Sequence, residues 1–233
     1  MKIVFTWDDG AVEDLKLIAL HEKYNLPGMF FVPNFNKEGR AVISADDIKH
    51  CASSLISFGG HTKNHSYLTT VAKSDLDEEI YANQAYLSEL LGTEIPHFCL
   101  PGGKYNEEVL ASVYKYYKTI RTADTMNFRN EGTLIKPSFH IYPRGYKSLV
   151  GNAMRNGSNS VLLNLLMHPN RDYFETLADI VDLEKNKSSA DIIFWGHSWE
   201  LEEFGLWNSL EEIMKNISLN YKENCVSYDE LFK

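Results

Sequence analysis

The stretch KIVFTWDDG, residues 2–10, decides the fold. Residues 2–7 are a short run of β-branched and aromatic side chains, typical of a buried strand, and the run stops at Asp8-Asp9-Gly10. Residues 12–24 follow at once, and their apolar side chains recur mostly at three- and four-residue spacing, which predicts one face of a helix. A strand that passes directly into a helix is the repeating unit of parallel α/β proteins.

The same alternation continues along the rest of the chain. Further strands are predicted at residues 28–33, 55–58, 97–100, 118–122, 139–142, 191–195 and 225–227. Helices are predicted at residues 44–52, 74–92 and 106–117, in most of 145–187, and at 206–217. This order predicts parallel strands joined by crossover helices, in an α/β sheet or barrel. No repeat, low-complexity tract or linker interrupts the pattern, so residues 1–233 are predicted to form a single domain.

The composition excludes several classes of protein. The chain has 233 residues, 44% of them hydrophobic and 24% charged, which is typical of a folded protein and not of a disordered or fibrous one. Its net charge of −9 argues against a nucleic-acid partner, which would require a basic face, but not against a neutral substrate. Cys51, Cys99 and Cys225 are too sparse for a disulfide framework and are expected to be reduced.

The expected location follows from features that the sequence lacks. No run approaches the ~18 apolar residues of a membrane span, so no span is expected. The N-terminus has no basic region followed by an apolar stretch of signal-peptide length. A cytoplasmic location is therefore expected, although a secreted chain whose leader has been removed would have the same sequence. The sequence predicts no oligomeric state.

Polar side chains cluster where predicted strands end. The positions are Asp8, Asp9, His61, His65, the turn Pro101-Gly102-Gly103, and His197. Since the carboxyl ends of parallel strands meet on one face, these side chains are expected to lie together. His61 and His65 are four residues apart, which on a helical turn points both imidazoles in one direction. Two neutral imidazoles with one carboxylate suit Zn²⁺ or a similar divalent ion and leave positions open for water.

Each of these patterns also has a structural interpretation. One of the two aspartates can cap the helix that starts near Ala11. His61 and His65 can fall four residues apart by chance, and His197 can be a buried histidine hydrogen-bonded at a strand end. It is their joint occurrence at one end of the predicted sheet that favours a site.

Four segments follow one another along the chain in a recognisable order. They are TWDDG (6–10), HTKNH with the following Ser-Tyr-Leu (61–68), CLPGG (99–103) and WGH (195–197). In order and spacing they resemble the polysaccharide deacetylase family, which is the NodB-like family or carbohydrate esterase family four, from Lys2 to about Ser227. The resemblance implies an irregular (β/α) barrel of about seven to eight parallel strands. It also implies metal-dependent hydrolysis of an acetyl group, usually the N-acetyl group of an amino sugar.

The resemblance also implies a role for each residue of the motifs. Asp9, His61 and His65 would be the metal ligands, with Zn²⁺ the favoured ion and Co²⁺, Ni²⁺ or Mn²⁺ as alternatives. Asp8 would be the general base, and His197 the general acid that protonates the leaving amine. The chemistry needs the same parts, because hydrolysis of an amide requires an activated water, a base beside it and an acid for the amine.

The third motif carries one expected function and one departure from the family. A backbone N–H of Gly102 or Gly103 would help to hold the oxyanion. Many family members have an arginine that pairs with the base where this chain has Cys99, which cannot carry a positive charge. Arg121 is the candidate replacement near Asp8, and a surface or structural salt bridge is its alternative role. Cys99 itself is expected to be a small buried side chain and not a nucleophile.

Several other polar residues receive secondary roles. His140 ends a predicted strand and either faces the cleft or is a satisfied structural histidine. Trp199 either stacks on a sugar ring or packs in the core. Glu200 is a candidate for orienting His197. His21 and His50 lie on helices that are predicted to be exposed, and they receive no role.

The sequence therefore predicts a metal-dependent deacetylase of an N-acetylated, or O-acetylated, carbohydrate or small acetylated substrate. One alternative is a metal-dependent amidohydrolase of the same fold that acts on a small non-sugar amide or imide. The absence of a signal peptide and of a carbohydrate-binding module favours that alternative. A second alternative is a non-catalytic carbohydrate-binding relative, and Cys99 in place of arginine is its only support.

Overall fold

The computed structural model describes residues 1–156, 159–187 and 189–232. In this part of the chain eight strands form one sheet. They are β1 Lys2–Asp8, β2 Gly28–Val32, β3 Ile56–Gly60, β4 His97–Cys99, β5 Thr119–Arg121, β6 Leu134–Ile135, β7 Phe139–His140 and β8 Asp191–His197. Every pair of neighbouring strands is parallel.

Helices connect and cover these strands. They are α1 Asp14–Tyr24, α2 Ala45–Cys51, α3 Lys73–Leu91, α4 Glu107–Val113, α5 Tyr146–Arg155, α6 Asn159–Met167, α7 Tyr173–Glu184, α8 Ser198–Glu203 and α9 Trp207–Asn220. The helical region predicted at 145–187 is thus divided among α5, α6 and α7, and its residues 157 and 158 lie outside the described residues. None of these helices is long and apolar enough to cross a bilayer.

The strand order is β6-β5-β4-β3-β2-β1-β8-β7. β1 and β8 pair along their whole length, from Lys2 opposite Asp191 to Asp8 opposite His197. Eight parallel strands with helices around them confirm the predicted irregular (β/α) barrel. The sequence did not predict β6, and the strand predicted at 225–227 was wrong, because Cys225 makes only a single bridge to Ile3.

The period of two residues along β1 decides which side chains face the barrel interior. Ile3, Phe5 and Trp7 pack outward in the larger apolar core shared with the helices. Val4 points inward, into a smaller cluster with Met29, Phe31, Cys99, Ile135, Ile193 and Tyr228. Asp8 has the same parity as Val4, so the strand itself aims this carboxylate into the top of the barrel.

His21 is buried in the outer core, and the prediction of an exposed histidine was wrong. Its ring is 0% exposed and packs edge-on against Phe5 and Phe30. Trp7 donates its Nε1–H to His21 Nε2 over 2.8 Å, so the proton of the neutral ring lies on Nδ1, 2.8 Å from the Leu26 carbonyl oxygen. The sequence did not reveal this, because the burial of the ring and its hydrogen bond from Trp7 depend on an element that only the fold places beside it.

Acid is expected to destabilise the protein in part through His21. Burial lowers the pKa of His21 from 6.5 to about 4, and the hydrogen bond to Leu26 offsets this only in part. Between these pH values the unfolded chain binds more protons at His21 than the folded one, so stability falls as the pH falls from 6.5 to 4. At 1.36 kcal/mol for each pKa unit, the full loss is about 3 kcal/mol.

Urea unfolding at pH 7.5 and pH 4.5 measures this contribution. The stability advantage of the wild type over His21→Gln should shrink by about 2–3 kcal/mol between the two pH values, since glutamine does not titrate. His50→Gln is the control, because His50 is exposed. An advantage of the wild type that stays constant with pH would show that His21 does not have the lowered pKa.

Candidate active site

The carboxyl ends of the strands surround a cavity of about 490 Å³. The residues that line it include, from the sequence-predicted set, Asp8, Asp9, His61, His65, Gly102, Gly103, His140, His197 and Trp199. Arg121 and Glu200 do not line the cavity but contact residues that do. The parallel sheet has therefore brought the predicted side chains together at one end.

Asp9 is the residue on which the other side chains converge. Its Oδ1 lies 2.9 Å from His65 Nε2 and 3.3 Å from His61 Nε2, and its Oδ2 accepts a hydrogen bond of 2.8 Å from Trp199 Nε1–H. The chain reaches this position through a left-handed turn, with φ of 74° at Asp9 and 59° at Gly10. Positive φ is uncommon outside glycine, although aspartate tolerates it better than most residues.

The segment from His61 to His65 is a loop, so the predicted helical turn was wrong. Thr62 and His65 have φ of 67° and 54°, both in the left-handed region. The two reversals, and not a helical repeat, bring the imidazoles together with ring centroids 5.1 Å apart. The four-residue spacing of His61 and His65 therefore marked a pair of neighbouring imidazoles, but it is the left-handed residues of the loop that bring them together.

Two polar residues of α3 hold this loop in place, and neither was predicted from the sequence. Asn83 Oδ1 accepts the backbone N–H of His61 over 2.8 Å. The Glu79 carboxylate accepts the backbone N–H of Asn64 over 3.1 Å and its side-chain amide over 2.7 Å. Glu79 and Asn83 are buried on the face of α3 that also buries Leu87. Polar residues on an apolar helix face were the available signal, because such groups need buried partners.

The hydrogen bonds of His61 indicate what can lie between its ring and Asp9. His61 Nδ1 lies 2.9 Å from the Cys99 carbonyl oxygen, which can only accept, so Nδ1 carries the proton. In the neutral ring Nε2 then has only a lone pair, and it faces the carboxylate oxygen of Asp9. Two facing lone pairs repel unless a metal ion or an added proton lies between them. Asp9, His61 and His65 thus offer one oxygen and two nitrogen donors, which fit a divalent ion such as Zn²⁺.

Two other groups of potential ligands lie in the described residues, and neither suits a metal. In the first group, Asp8, His61 and Cys99, the Arg121 guanidinium already contacts Asp8 and lies 2.8 Å from Cys99 Sγ, so a second cation there would be repelled. In the second group, His140, His197 and Glu200, the ring nitrogens are engaged in hydrogen bonds or ion pairs. Asp9, His61 and His65 are therefore the group that fits best.

Arg121 contacts Asp8 through its guanidinium, at the position predicted for a replacement cation. Both side chains are buried, and Arg121 is 0% exposed. Burial alone would raise the pKa of Asp8, but the Arg121 charge, assisted by His61 and His197, outweighs it and lowers the pKa. Arg121 Nη2 also lies 2.8 Å from Cys99 Sγ. Cys99 and Arg121 are register partners on β4 and β5, so the cation sits one strand away from the position of the family's arginine.

A chain of contacts links His197 to a second histidine. His197 Nδ1 donates to Glu200 Oε2 over 2.7 Å, and His140 Nε2 lies 2.9 Å from the same oxygen. Burial would lower the pKa of His197, but Glu200 and then Asp9 raise it to about 9. Burial lowers the pKa of His140 to about 4, and Arg144 donates to its Nδ1 over 2.8 Å. His140 is thus a satisfied histidine that also lines the cavity, so both predicted descriptions apply.

Two sequence-predicted details are corrected by the contacts. The Gly103 N–H donates to the Leu100 carbonyl oxygen over 2.9 Å, so only Gly102 remains as the oxyanion candidate of this turn. The indole of Trp199 is covered on one face by the Arg40 guanidinium, 3.5 Å from the ring centroid. Stacking of a sugar on that face is therefore excluded while Arg40 is in place.

Comparison with known sequences identifies the family. A sequence model described as polysaccharide deacetylase matches residues 1–119, about half of the chain. This chain belongs to the polysaccharide deacetylase family. The matched half contains Asp8, Asp9, His61 and His65, whereas His197 lies beyond it. No curated protein sequence matches the chain.

Solved structures show the same fold at low sequence identity. Streptococcus pyogenes deacetylase PplD, in complex with acetate, is 21% identical with a TM-score of 0.52, over 58% of this chain and 62% of PplD. The polysaccharide deacetylase BC0361 from Bacillus cereus is 18% identical with a TM-score of 0.50, over 58% of this chain and 46% of BC0361. A Clostridium thermocellum family 4 acetyl xylan esterase, in complex with a cobalt ion, is 15% identical with a TM-score of 0.58, over 100% of this chain and 90% of the esterase. This chain thus spans less than two thirds of the length of the first two relatives.

Proposed function

We propose that this chain is a metal-dependent hydrolase that removes acetyl groups from an N-acetylated, or O-acetylated, carbohydrate. The observation that carries the proposal is the convergence of His61 Nε2 and His65 Nε2 on Asp9 Oδ1, at 3.3 Å and 2.9 Å, which gathers two nitrogen donors and one oxygen donor able to hold a divalent ion. A candidate base, Asp8, and a candidate acid, His197, line the same cavity. Membership of the polysaccharide deacetylase family supports a carbohydrate substrate.

Asp9, His61 and His65 would hold the ion, and Asp8 would be the base. A divalent ion held there would supply a nucleophile at neutral pH, because metal binding lowers the pKa of water from 15.7 to about 7. Asp8 would take up the proton of the attacking water, because the contact with Arg121 keeps its carboxylate ionised and oriented at the top of the barrel. Arg121 contacts Asp8 and not the reacting atoms, so it is a positioning residue.

His197 would be the acid that protonates the leaving amine. Its Nδ1–H is donated to Glu200, which leaves Nε2, 3.9 Å from Asp9 Oδ2, as the atom for proton transfer. The Glu200 carboxylate stabilises the imidazolium by its charge and holds the ring at this angle. The Gly102 N–H is the candidate donor to the oxyanion.

Acetate release tests the proposed function. We expect the protein, loaded with Zn²⁺, to release acetate from N-acetylglucosamine oligomers, and a chelator to abolish the release. Release that a chelator does not affect would overturn the metal-dependent mechanism. Hydrolysis of small amides or imides, with no acetate from any sugar, would instead favour a non-sugar substrate. A binding-only role has lost its one support, because Arg121 supplies the cation that Cys99 lacks.

Asp8→Asn and His197→Ala are expected to separate chemistry from metal binding. Neither side chain belongs to the proposed ligand set, so both variants should keep one equivalent of metal by elemental analysis. Both should lower kcat by roughly 10²-fold or more, the scale of general acid–base catalysis. The exposed Asp46→Asn and His50→Ala are matched controls and should have wild-type kcat. Near-full activity in either test variant would refute the role assigned to that residue.

A further inference from the structure

Two arginines in the cavity wall have no carboxylate partner. Arg40 and Arg144 line the cavity, and no described carboxylate lies within 4.0 Å of either guanidinium. By contrast, two buried carboxylates near the centre are already matched, Asp8 by Arg121 and Glu200 by His197. Neither arginine forms an ion pair within the described part of the chain, although the cavity also holds the carboxylates of Asp9 and Glu38, which contact His61 and His65 instead.

Arg40 is held by stacking, which leaves its hydrogen-bond donors unused. Its guanidinium carbon lies 3.5 Å from the centroid of the Trp199 ring, the distance of a stacked contact. Trp199 is itself fixed by the hydrogen bond from its indole N–H to Asp9. Stacking engages the face of a guanidinium, but the five N–H donors lie in its plane, and none of them has an acceptor among the described residues. Arg40 therefore presents a preformed fork close to the proposed metal site.

One edge of the Arg144 guanidinium contacts His140, and the opposite edge is available to a ligand. Its Nε and Nη2 lie 3.1 Å and 2.8 Å from His140 Nδ1, and its guanidinium lies near the Tyr142 ring. Nη1 is not engaged by these contacts. Because His140 contacts Glu200, the position of Arg144 is also coupled to the acid His197.

We infer that Arg40 and Arg144 form a subsite for an anionic group, a carboxylate or a phosphate, carried by the acetylated sugar substrate. Planar guanidinium forks bind such groups through paired, charge-assisted hydrogen bonds. The carboxylate of Glu38, which also lines the cavity, lies 3.6 Å from His65 Nδ1 and not against either arginine. This inference rests on the proposed function in that it names the class of sugar that the deacetylase takes.

Matched substrates test the inference. N-acetylglucosamine is the neutral probe, N-acetylmuramic acid adds a lactyl carboxylate to the same ring, and N-acetylglucosamine 6-phosphate adds a phosphate. The zinc-loaded wild type should have a kcat/KM at least ~10-fold higher for one anionic probe than for the neutral one. The identity of the preferred probe distinguishes a carboxylate from a phosphate.

Substitution of each arginine should remove this preference. Arg40→Gln and Arg144→Gln should each lower kcat/KM for the anionic probe by about 10- to 100-fold, the range for a lost hydrogen bond to a charged group. Arg144→Gln should also lower kcat for every probe, because it releases His140, so the ratio of anionic to neutral kcat/KM is the deciding quantity. Arg129→Gln is the control, because Arg129 is exposed and paired with Glu131 outside the cavity.

A binding measurement keeps the inference separate from the proposed function. Calorimetric titration with the deacetylated sugars should show muramic acid or glucosamine 6-phosphate binding tighter than glucosamine, and each arginine variant should lose this difference. If acetate is released from neutral and anionic probes at an unchanged ratio in all variants, the anion subsite is overturned and the deacetylase function stands. If no sugar loses acetate but anions bind in an arginine-dependent manner, the subsite stands and the deacetylase function fails. If no anion binds better than glucosamine, the subsite is overturned.

Discussion

Asp9→Asn and His65→Asn are expected to leave the protein folded but without its metal. Asparagine is the suitable replacement because both positions have a left-handed backbone, with φ of 74° and 54°, which asparagine tolerates better than alanine. Loss of the carboxylate or of one imidazole removes a ligand from a site that has only three protein donors. We expect kcat/KM to fall by roughly 10³-fold or more, because a metal ion stabilises the transition state of such a reaction by several kcal/mol.

Metal content and thermal stability give readouts that do not depend on activity. Elemental analysis should find about one Zn²⁺ per wild-type chain and little in either variant. Added Zn²⁺ should raise the Tm of the metal-free wild type but not of the variants, since a ligand stabilises only a fold that binds it. Asp46→Asn and His50→Asn, both exposed, are the matched controls. A variant that keeps stoichiometric metal would show that the ion, if present, lies elsewhere.

Arg121→Ala is expected to cost both stability and activity. The substitution leaves the Asp8 carboxylate buried without its cation, and breaking one side of a buried ion pair costs about 3–5 kcal/mol. Arg129→Ala, at an exposed pair 3.0 Å from Glu131, should change the free energy of unfolding by less than about 1 kcal/mol. Urea unfolding at neutral pH measures both changes. kcat/KM should fall in Arg121→Ala and stay unchanged in Arg129→Ala.

A double-mutant cycle decides whether the pair itself is responsible. Arg121→Ala combined with Asp8→Asn should recover stability relative to Arg121→Ala alone, because no uncompensated charge is then buried. Cys99→Arg in the Arg121→Ala background should recover part of the activity, since Cys99 and Arg121 are register partners on adjacent strands. Arg121→Lys should rescue only in part, because a point charge does not reproduce a planar fork. Additive single effects with no recovery would show that Arg121 acts through packing and not through Asp8.

The metal-ligand prediction and the Arg121 prediction rest on different kinds of contact. Some of these contacts could be predicted from the sequence and others could not. The placement of Asp8, Asp9 and His197 at strand ends followed from patterns only a few residues long, because period-two strands and the turns after them are local features. The partnership of Arg121 with Asp8 was a hypothesis, since residues 113 positions apart meet only if β4, β5 and β1 occupy the right places in the sheet. The burial of His21 was missed for the same reason, because its partner Trp7 lies on another element.

The sequence by itself determined the alternation of strands and helices, the end of the barrel that carries the site, and the residue types able to hold a metal ion there. Only the tertiary structure decided how those residues meet. The His61–His65 loop converges on Asp9 through left-handed residues that Glu79 and Asn83 of α3 stabilise. Arg40 covers Trp199 and so replaces a stacking surface with a cationic one. The physical reason is that hydrophobic periodicity reports burial along one element, whereas hydrogen bonds, stacking and ion pairs depend on which elements pack side by side.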